Sequence, residues 1–214
     1  ELEAKYPSIK IMLSGMVLMN NGFDEASQED MSSLIPIMFG VIIITLGLLL
    51  RSISATLGAV MVILMSIMSG MGMTGWLGWQ LAPPSASAPT IIMTMAVADC
   101  VHLLVSYLHN LRHGLAKQAA MVEAIRINFG PVFLTSLTTA IGFLTMNFSE
   151  VPPFQDLGNI VAMGVLAAFI LSVTFLPAFP VVLPIRVKVR EEGHVSNIDH
   201  LADWVIAKRR LLLW

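Results

Sequence analysis

The sequence predicts an all-α membrane protein, a bundle of five transmembrane helices, and three observations predict it. Of its 214 residues, 56% are hydrophobic and 12% charged, the latter about half the usual share of a soluble domain. The mean hydropathy is +0.80. The apolar residues gather into five runs, each near the ~20 residues a helix needs to cross ~30 Å of hydrocarbon. A soluble fold cannot hide so much apolar surface and still cover itself with charge.

The expected spans are residues 33–50, 53–77, 89–108, 129–148 and 157–183. Each must be helical, because hydrocarbon offers no partner to an unpaired backbone amide. A β-barrel would need short alternating strands, and these runs are too long and too uniformly apolar.

Basic residues give the orientation. Arg51, Arg112, Lys117, Arg126, Arg186, Lys188, Arg190, Lys208, Arg209 and Arg210 fall in alternate connections and hold ten of the twelve Lys and Arg. The other side holds Lys5 and Lys10 with most of the acids, among them Asp24, Glu25, Glu29, Asp30, Glu150 and Asp156. The positive-inside rule places the first set in the cytoplasm. The N-terminal segment is then outside and the C-terminal tail inside, as an odd number of spans requires.

The flanks divide accordingly. Residues 1–31 read as the end of an extracytoplasmic domain and a lead-in: Ile9, Ile11, Leu13 and Val17 suggest a last strand, and Asn20-Asn21-Gly22 a turn. Residues 32–184 are the five-span domain. Within it, residues 114–128 carry Leu115, Ala119, Val122 and Ile125 at helical spacing, the pattern of a short amphipathic helix on the membrane surface. Residues 185–214 read as a cytoplasmic linker and the start of a further span. The chain is expected to be a fragment of a longer protein.

Asp99 is the acid well inside a span, with ten residues of its run before it and nine after. A charge there costs at least ~2.5–3.5 kcal/mol on insertion scales, so intramembrane acids are rare and usually functional. A carboxyl that takes and releases a proton is the chemistry such a position offers. A structural acid, satisfied by a hydroxyl or backbone donor, is the plainer alternative. His102, three residues on, neighbours Asp99 on the helix; it serves either as the second member of a proton relay or as a packed polar residue. Thr135, Ser136, Thr138 and Thr139 cluster in the fourth span. Hydroxyls in membrane helices mostly bond their own backbone or a neighbouring helix, and one or two of these would face Asp99.

Other patterns carry less. Gly70, Gly72 and Gly75 spell G-x-G-x-x-G, but inside an apolar span, where close helix packing explains them better than a nucleotide. No H-E-x-x-H, G-x-S-x-G, phosphate loop or metal-ligand cluster occurs. The sequence therefore predicts no enzyme, no bound cofactor or metal, no nucleic-acid partner and no direct use of ATP by this piece.

Three stretches resemble a known superfamily. They are Val97-Ala98-Asp99-Cys100-Val101-His102-Leu103-Leu104, the run Leu134-Thr135-Ser136-Leu137-Thr138-Thr139-Ala140-Ile141-Gly142-Phe143, and the segment from Gly158 through Ala168 to Leu176-Pro177. With Leu50-Arg51-Ser52, they look like the resistance-nodulation-division (RND) superfamily, in particular the lipid-exporter branch of the MMPL proteins and hopanoid exporters. The block is also similar to the sterol-sensing domain of eukaryotic relatives. The resemblance implies the first membrane half of an RND-type transporter in a bacterial cytoplasmic (inner) membrane. It implies proton-driven export of hydrophobic or lipid-like molecules and places the proton-carrying acid at Asp99. The implied partners are membrane lipids, a lipid-like substrate and a second membrane half of the same polypeptide, with homo-oligomerisation left open. Many relatives show Asp-Asp or Asp-Tyr where this chain has Ala98-Asp99-Cys100. The alternative is a sterol-sensing-type module that binds lipid without ion coupling, in grooves such as that along Gly158, Ala162 and Gly164.

Overall fold

A computed structural model describes residues 15–79, 81–182 and 208. The expected strand at residues 9–13, the expected linker from 185 onward and the start of a further span lie outside the described residues, apart from Lys208. Five α-helices make up the described chain: α1 (Met16–Leu50), α2 (Ile53–Leu77), α3 (Ala88–Arg112), α4 (Lys117–Leu144) and α5 (Pro152–Val182). Short 3-10 helices, Pro83–Ser87 and Thr145–Phe148, precede α3 and follow α4. No strand occurs among the described residues. Five segments are long and apolar enough to cross a membrane: Ser32–Leu50, Ile53–Leu77, Pro83–Arg112, Lys117–Phe148 and Pro152–Pro180. The chain is an integral membrane protein of the predicted class.

Helix boundaries follow from local chemistry. The link between α1 and α2 is Arg51-Ser52 alone. Arg51 ends α1 in the left-handed conformation (φ 48°), its N–H bonded to the Gly47 carbonyl. Ser52 caps α2, its hydroxyl accepting from the Ala55 N–H. Two glycines close helices where a side chain would be strained. At Gly78 (φ 71°) the Trp79 N–H reaches back to the Thr74 carbonyl, and at Gly114 (φ 85°) the Leu115 N–H reaches the Asn110 carbonyl. Both are Schellman-type closures.

Two boundaries differ from expectation. Residues 117–128 do not form a separate surface helix, because α4 runs from Lys117 to Leu144 without a break through Pro131. A proline removes one N–H from the ladder, a loss that membrane helices tolerate. Nor is Asn20-Asn21-Gly22 a turn or Val17 part of a strand, since α1 already starts at Met16. Turn-forming residues carry only weak helix penalties, and Asn21 is held by its side-chain bond to Glu25 one helical turn on, at 2.9 Å.

Helix α5 is the hub, packing against α2, α3 and α4, while among the described elements α1 touches only α2, α3 and the 3-10 turn before α3. Small residues set the closeness. Gly70 on α2 lies against Gly164 on α5 and Ile92 on α3, and Gly164 itself packs on Ile92. Gly158 on α5 lies under the Phe143 carbonyl of α4. Gly72 and Gly75 have open space around their Cα positions. Of the three glycines in the G-x-G-x-x-G pattern, then, only Gly70 makes the expected close packing. The groove along Gly158, Ala162 and Gly164 is filled by Phe143, Met146 and Ile92, and all three small residues are buried. It has no room for a lipid tail.

Candidate functional site

Asp99 lies near the middle of α3 and is 2% exposed. The surrounding core positions on α3, Ala96, Cys100 and Leu103, are fully or nearly fully buried. Among the described residues one hydrogen bond reaches the carboxylate, from the Ser136 hydroxyl of α4 to Oδ2 at 3.3 Å. Among the described residues no cation is seen paired with it, and Arg126 pairs with Glu123 at 3.1 Å on α4.

The fourth-span hydroxyls divide cleanly. Val132, Ser136 and Ala140 recur every four residues and form the buried face of α4. Thr135 and Thr138 are exposed and bond backwards to their own helix, Thr135 to the Pro131 and Val132 carbonyls and Thr138 to the Leu134 and Thr135 carbonyls. Thr139 is half-buried and reaches no partner among the described residues. Ser136 alone of the four meets Asp99.

His102 is not brought to the carboxylate. It is exposed where Asp99 is buried, and no hydrogen bond ties the two. Three residues correspond to 300°, so the two side chains leave α3 about 60° apart. That angle is enough to put one inside the bundle and the other on its surface.

Two further polar links join α3 to α4 towards the end of the bundle that carries Arg51 and Arg112. Asn128 Nδ2 donates to Ser106 Oγ at 2.7 Å and to the Ala124 carbonyl at 2.8 Å. Asn110 Nδ2 donates to the Ala120 carbonyl at 3.1 Å. Sequence reasoning passed over Ser106, Asn110 and Asn128. The signal was available: paired positions on antiparallel helices have a nearly constant sum, and 99 with 136, 106 with 128 and 110 with 120 keep nearly the same register. On the other flank the Tyr107 hydroxyl, fully buried, reaches the Pro180 carbonyl of α5 at 3.5 Å.

The sequence profile of the MMPL family matches residues 2–207. The chain belongs to the MMPL family. It is 25% identical to protein MJ1562 of Methanocaldococcus jannaschii over 193 residues, which is 90% of this chain and 47% of that protein. It is 29% identical to mouse protein dispatched homolog 3 over 108 residues, 46% of this chain and 8% of the relative. The human dispatched homolog 3 shows the same 29% over 108 residues. The chain thus spans about half the length of MJ1562 and under a tenth of the dispatched proteins. MMPL membership agrees with the RND resemblance of the Asp99 and Thr135–Thr139 segments.

Proposed function

We propose that this chain is the membrane half of a proton-driven RND-type exporter of hydrophobic or lipid-like molecules, with Asp99 as the proton carrier. The observation that carries the reading is a buried mid-span carboxyl on α3 whose bonded partner among the described residues is the neutral Ser136 hydroxyl of α4. When protonated, such a group is uncharged and fits an apolar helix interface. When ionised, it calls for further donors or water. Alternation between the two states changes what α3 and α4 demand of one another, and that change can move packed helices. Energy then comes from the proton gradient, with no bound cofactor. The basic end of the bundle is the cytoplasmic face, the N-terminal segment lies outside, and the membrane is the bacterial inner membrane. A second membrane block completes the transporter, contributed by the same polypeptide.

The full-length protein tests this in cells by efflux of a fluorescent lipophilic dye. Asp99→Asn keeps the shape and the hydrogen bond but not the titration, and efflux should collapse while membrane insertion is retained. Dye efflux at the unsubstituted rate would end the proton-carrier reading.

A second reading, a sterol-sensing-type lipid-binding module, draws on the outer face of α1, where Leu34, Ile37, Val41, Ile44 and Leu48 are exposed. Lipid binding that survives Asp99→Asn with no ion flux in either protein would favour it.

A further inference from the structure

His109 lies in the last turn of α3 and His113 is its C-cap residue, four positions on, so the two side chains leave the helix on one face. Their ring centres are 4.2 Å apart, with the planes tilted by 38°, and both residues are exposed. His113 Nδ1 is 2.9 Å from the His109 carbonyl. A carbonyl can only accept, so in this bond Nδ1 carries the proton and Nε2 keeps its lone pair. The same carbonyl accepts the His113 backbone N–H at 3.2 Å. The His113 ring is thereby fixed against the final turn of α3, with its remaining nitrogen unprotonated.

This is the preparation a metal-binding imidazole needs. A ligating histidine almost always donates its other ring N–H to a carboxylate, a water or a backbone carbonyl, which sets the tautomer and the ring orientation. Two histidines four apart on a helix are also at the spacing that lets both reach one ion. Two imidazoles bound at about 2.0–2.1 Å, with tetrahedral to square-planar angles, have ring centres about 4.5–5.2 Å apart. The pair reaches that spacing by parting roughly 0.3–1 Å, a small swing for exposed side chains. The last carbonyls of α3 form the negative end of the helix dipole and favour a cation; Arg112 and Lys117, close along the chain, oppose it. His102 is seven residues upstream, about 10.5 Å of rise, and too far to join. No group of three or more potential ligands occurs among the described residues.

We infer that His109 and His113 form a binding site for one divalent transition metal of the kind that prefers imidazole, such as Zn²⁺ or Cu²⁺. The ion is held by His113 Nε2 and one ring nitrogen of His109, with water in the other positions. Two protein ligands make an open, exchangeable site, unlike the four that close a structural one. The ion bridges the turn that leads out of α3. There the Leu115 N–H closes the helix on the Asn110 carbonyl, and the Asn110 side chain bonds the Ala120 carbonyl of α4. Metal binding therefore fastens the α3–α4 connection. The site adds a metal where the sequence showed no ligand cluster, because two residues at helical spacing become a chelating pair only once their rings are placed. It draws nothing from Asp99 or from proton coupling.

The test uses the untagged full-length protein in detergent, stripped with chelator, and Cu²⁺ alone as the probe. Electron spin-echo modulation counts the imidazoles on the bound ion through their remote nitrogens. One equivalent of Cu²⁺ should show two imidazoles in the unsubstituted protein, and this signal should vanish in H109Q/H113Q. His109→Gln alone should leave one imidazole and weaken binding at least about tenfold, the lower end of what even a lost outer-shell partner costs. Zn²⁺ should slow hydrogen exchange at the Gly114 and Leu115 amides of the unsubstituted protein and leave H109Q/H113Q unchanged. Equal exchange in the spans of both proteins shows that the double variant is folded. His102, His194 and His200 are present in every variant. A two-imidazole centre that persists in H109Q/H113Q would assign the metal to those residues and overturn the site, as would a single imidazole in the unsubstituted protein. Zn²⁺ binding with no change in exchange would overturn the fastening of the turn. Dye efflux, which tests Asp99, is a separate measurement, so either conclusion can fall without the other.

Discussion

The Ser136 hydroxyl donates to the Asp99 carboxylate across the α3–α4 interface at 3.3 Å, and both residues are buried. This contact is long for a hydroxyl donor to a carboxylate, whose optimum lies near 2.5–2.7 Å. It therefore orients the acid without locking it. Ser136→Ala should reduce dye efflux by less than Asp99→Asn does, and should cost about 1 kcal/mol or less in stability. Parallel efflux assays and thermal unfolding in detergent check both halves of the expectation. Equal loss in the two variants would mean that the hydroxyl is as indispensable as the acid.

The glycine contacts give a graded prediction. A methyl at Gly158 would meet the Phe143 backbone carbonyl, and one at Gly164 would meet several atoms of Ile92. Gly158→Ala should destabilise by about 1–3 kcal/mol, since backbone cannot move aside as a side chain can. Gly164→Ala should be recovered in part by Ile92→Val. Gly75→Ala, with open space around it, should be neutral or slightly stabilising, as a glycine inside a helix costs roughly 0.5–1 kcal/mol against alanine. Melting temperatures in one detergent rank the four proteins.

The Asn128–Ser106 bond should register as a coupling. A double-mutant cycle of Asn128→Ala and Ser106→Ala should return about 0.6 kcal/mol, with an upper bound near 1.7, the range found for hydrogen bonds between membrane helices. A coupling near zero would show that the 2.7 Å contact adds nothing beyond what each residue gains from its own helix.

Tyr107 separates packing from polarity. Its ring is fully buried, whereas its hydroxyl meets the Pro180 carbonyl at the long distance of 3.5 Å. Tyr107→Phe should therefore cost little, under about 0.5 kcal/mol. Tyr107→Ala should cost about 3–5 kcal/mol through the cavity it leaves. Unfolding midpoints of the two variants decide between a packing role and a bonding one.

The five spans and Asp99 were legible in the sequence because both rest on composition over long windows. An apolar run of bilayer length has few alternatives, and an acid inside one stands out. The rotation of each helix was not legible. Four hydroxyls fall within five residues, and only the packing of α4 against α3 and α5 selects Ser136 and turns Thr135 and Thr138 outward. For the same reason His102 neighbours Asp99 along the chain yet faces a different environment. Helix ends were read too literally from local residues. Asn20-Asn21-Gly22 reads as a turn, yet α1 runs straight through it, with the Asn21 side chain bonded to Glu25 one helical turn on.

The two-residue link at Arg51-Ser52 has a mechanical consequence. With a left-handed arginine and a serine cap filling it, the connection holds no slack. At that edge α1 and α2 are pinned as if by a rivet. Any relative motion of the pair must therefore open like scissors, widest at the opposite face of the bilayer and smallest beside Arg51.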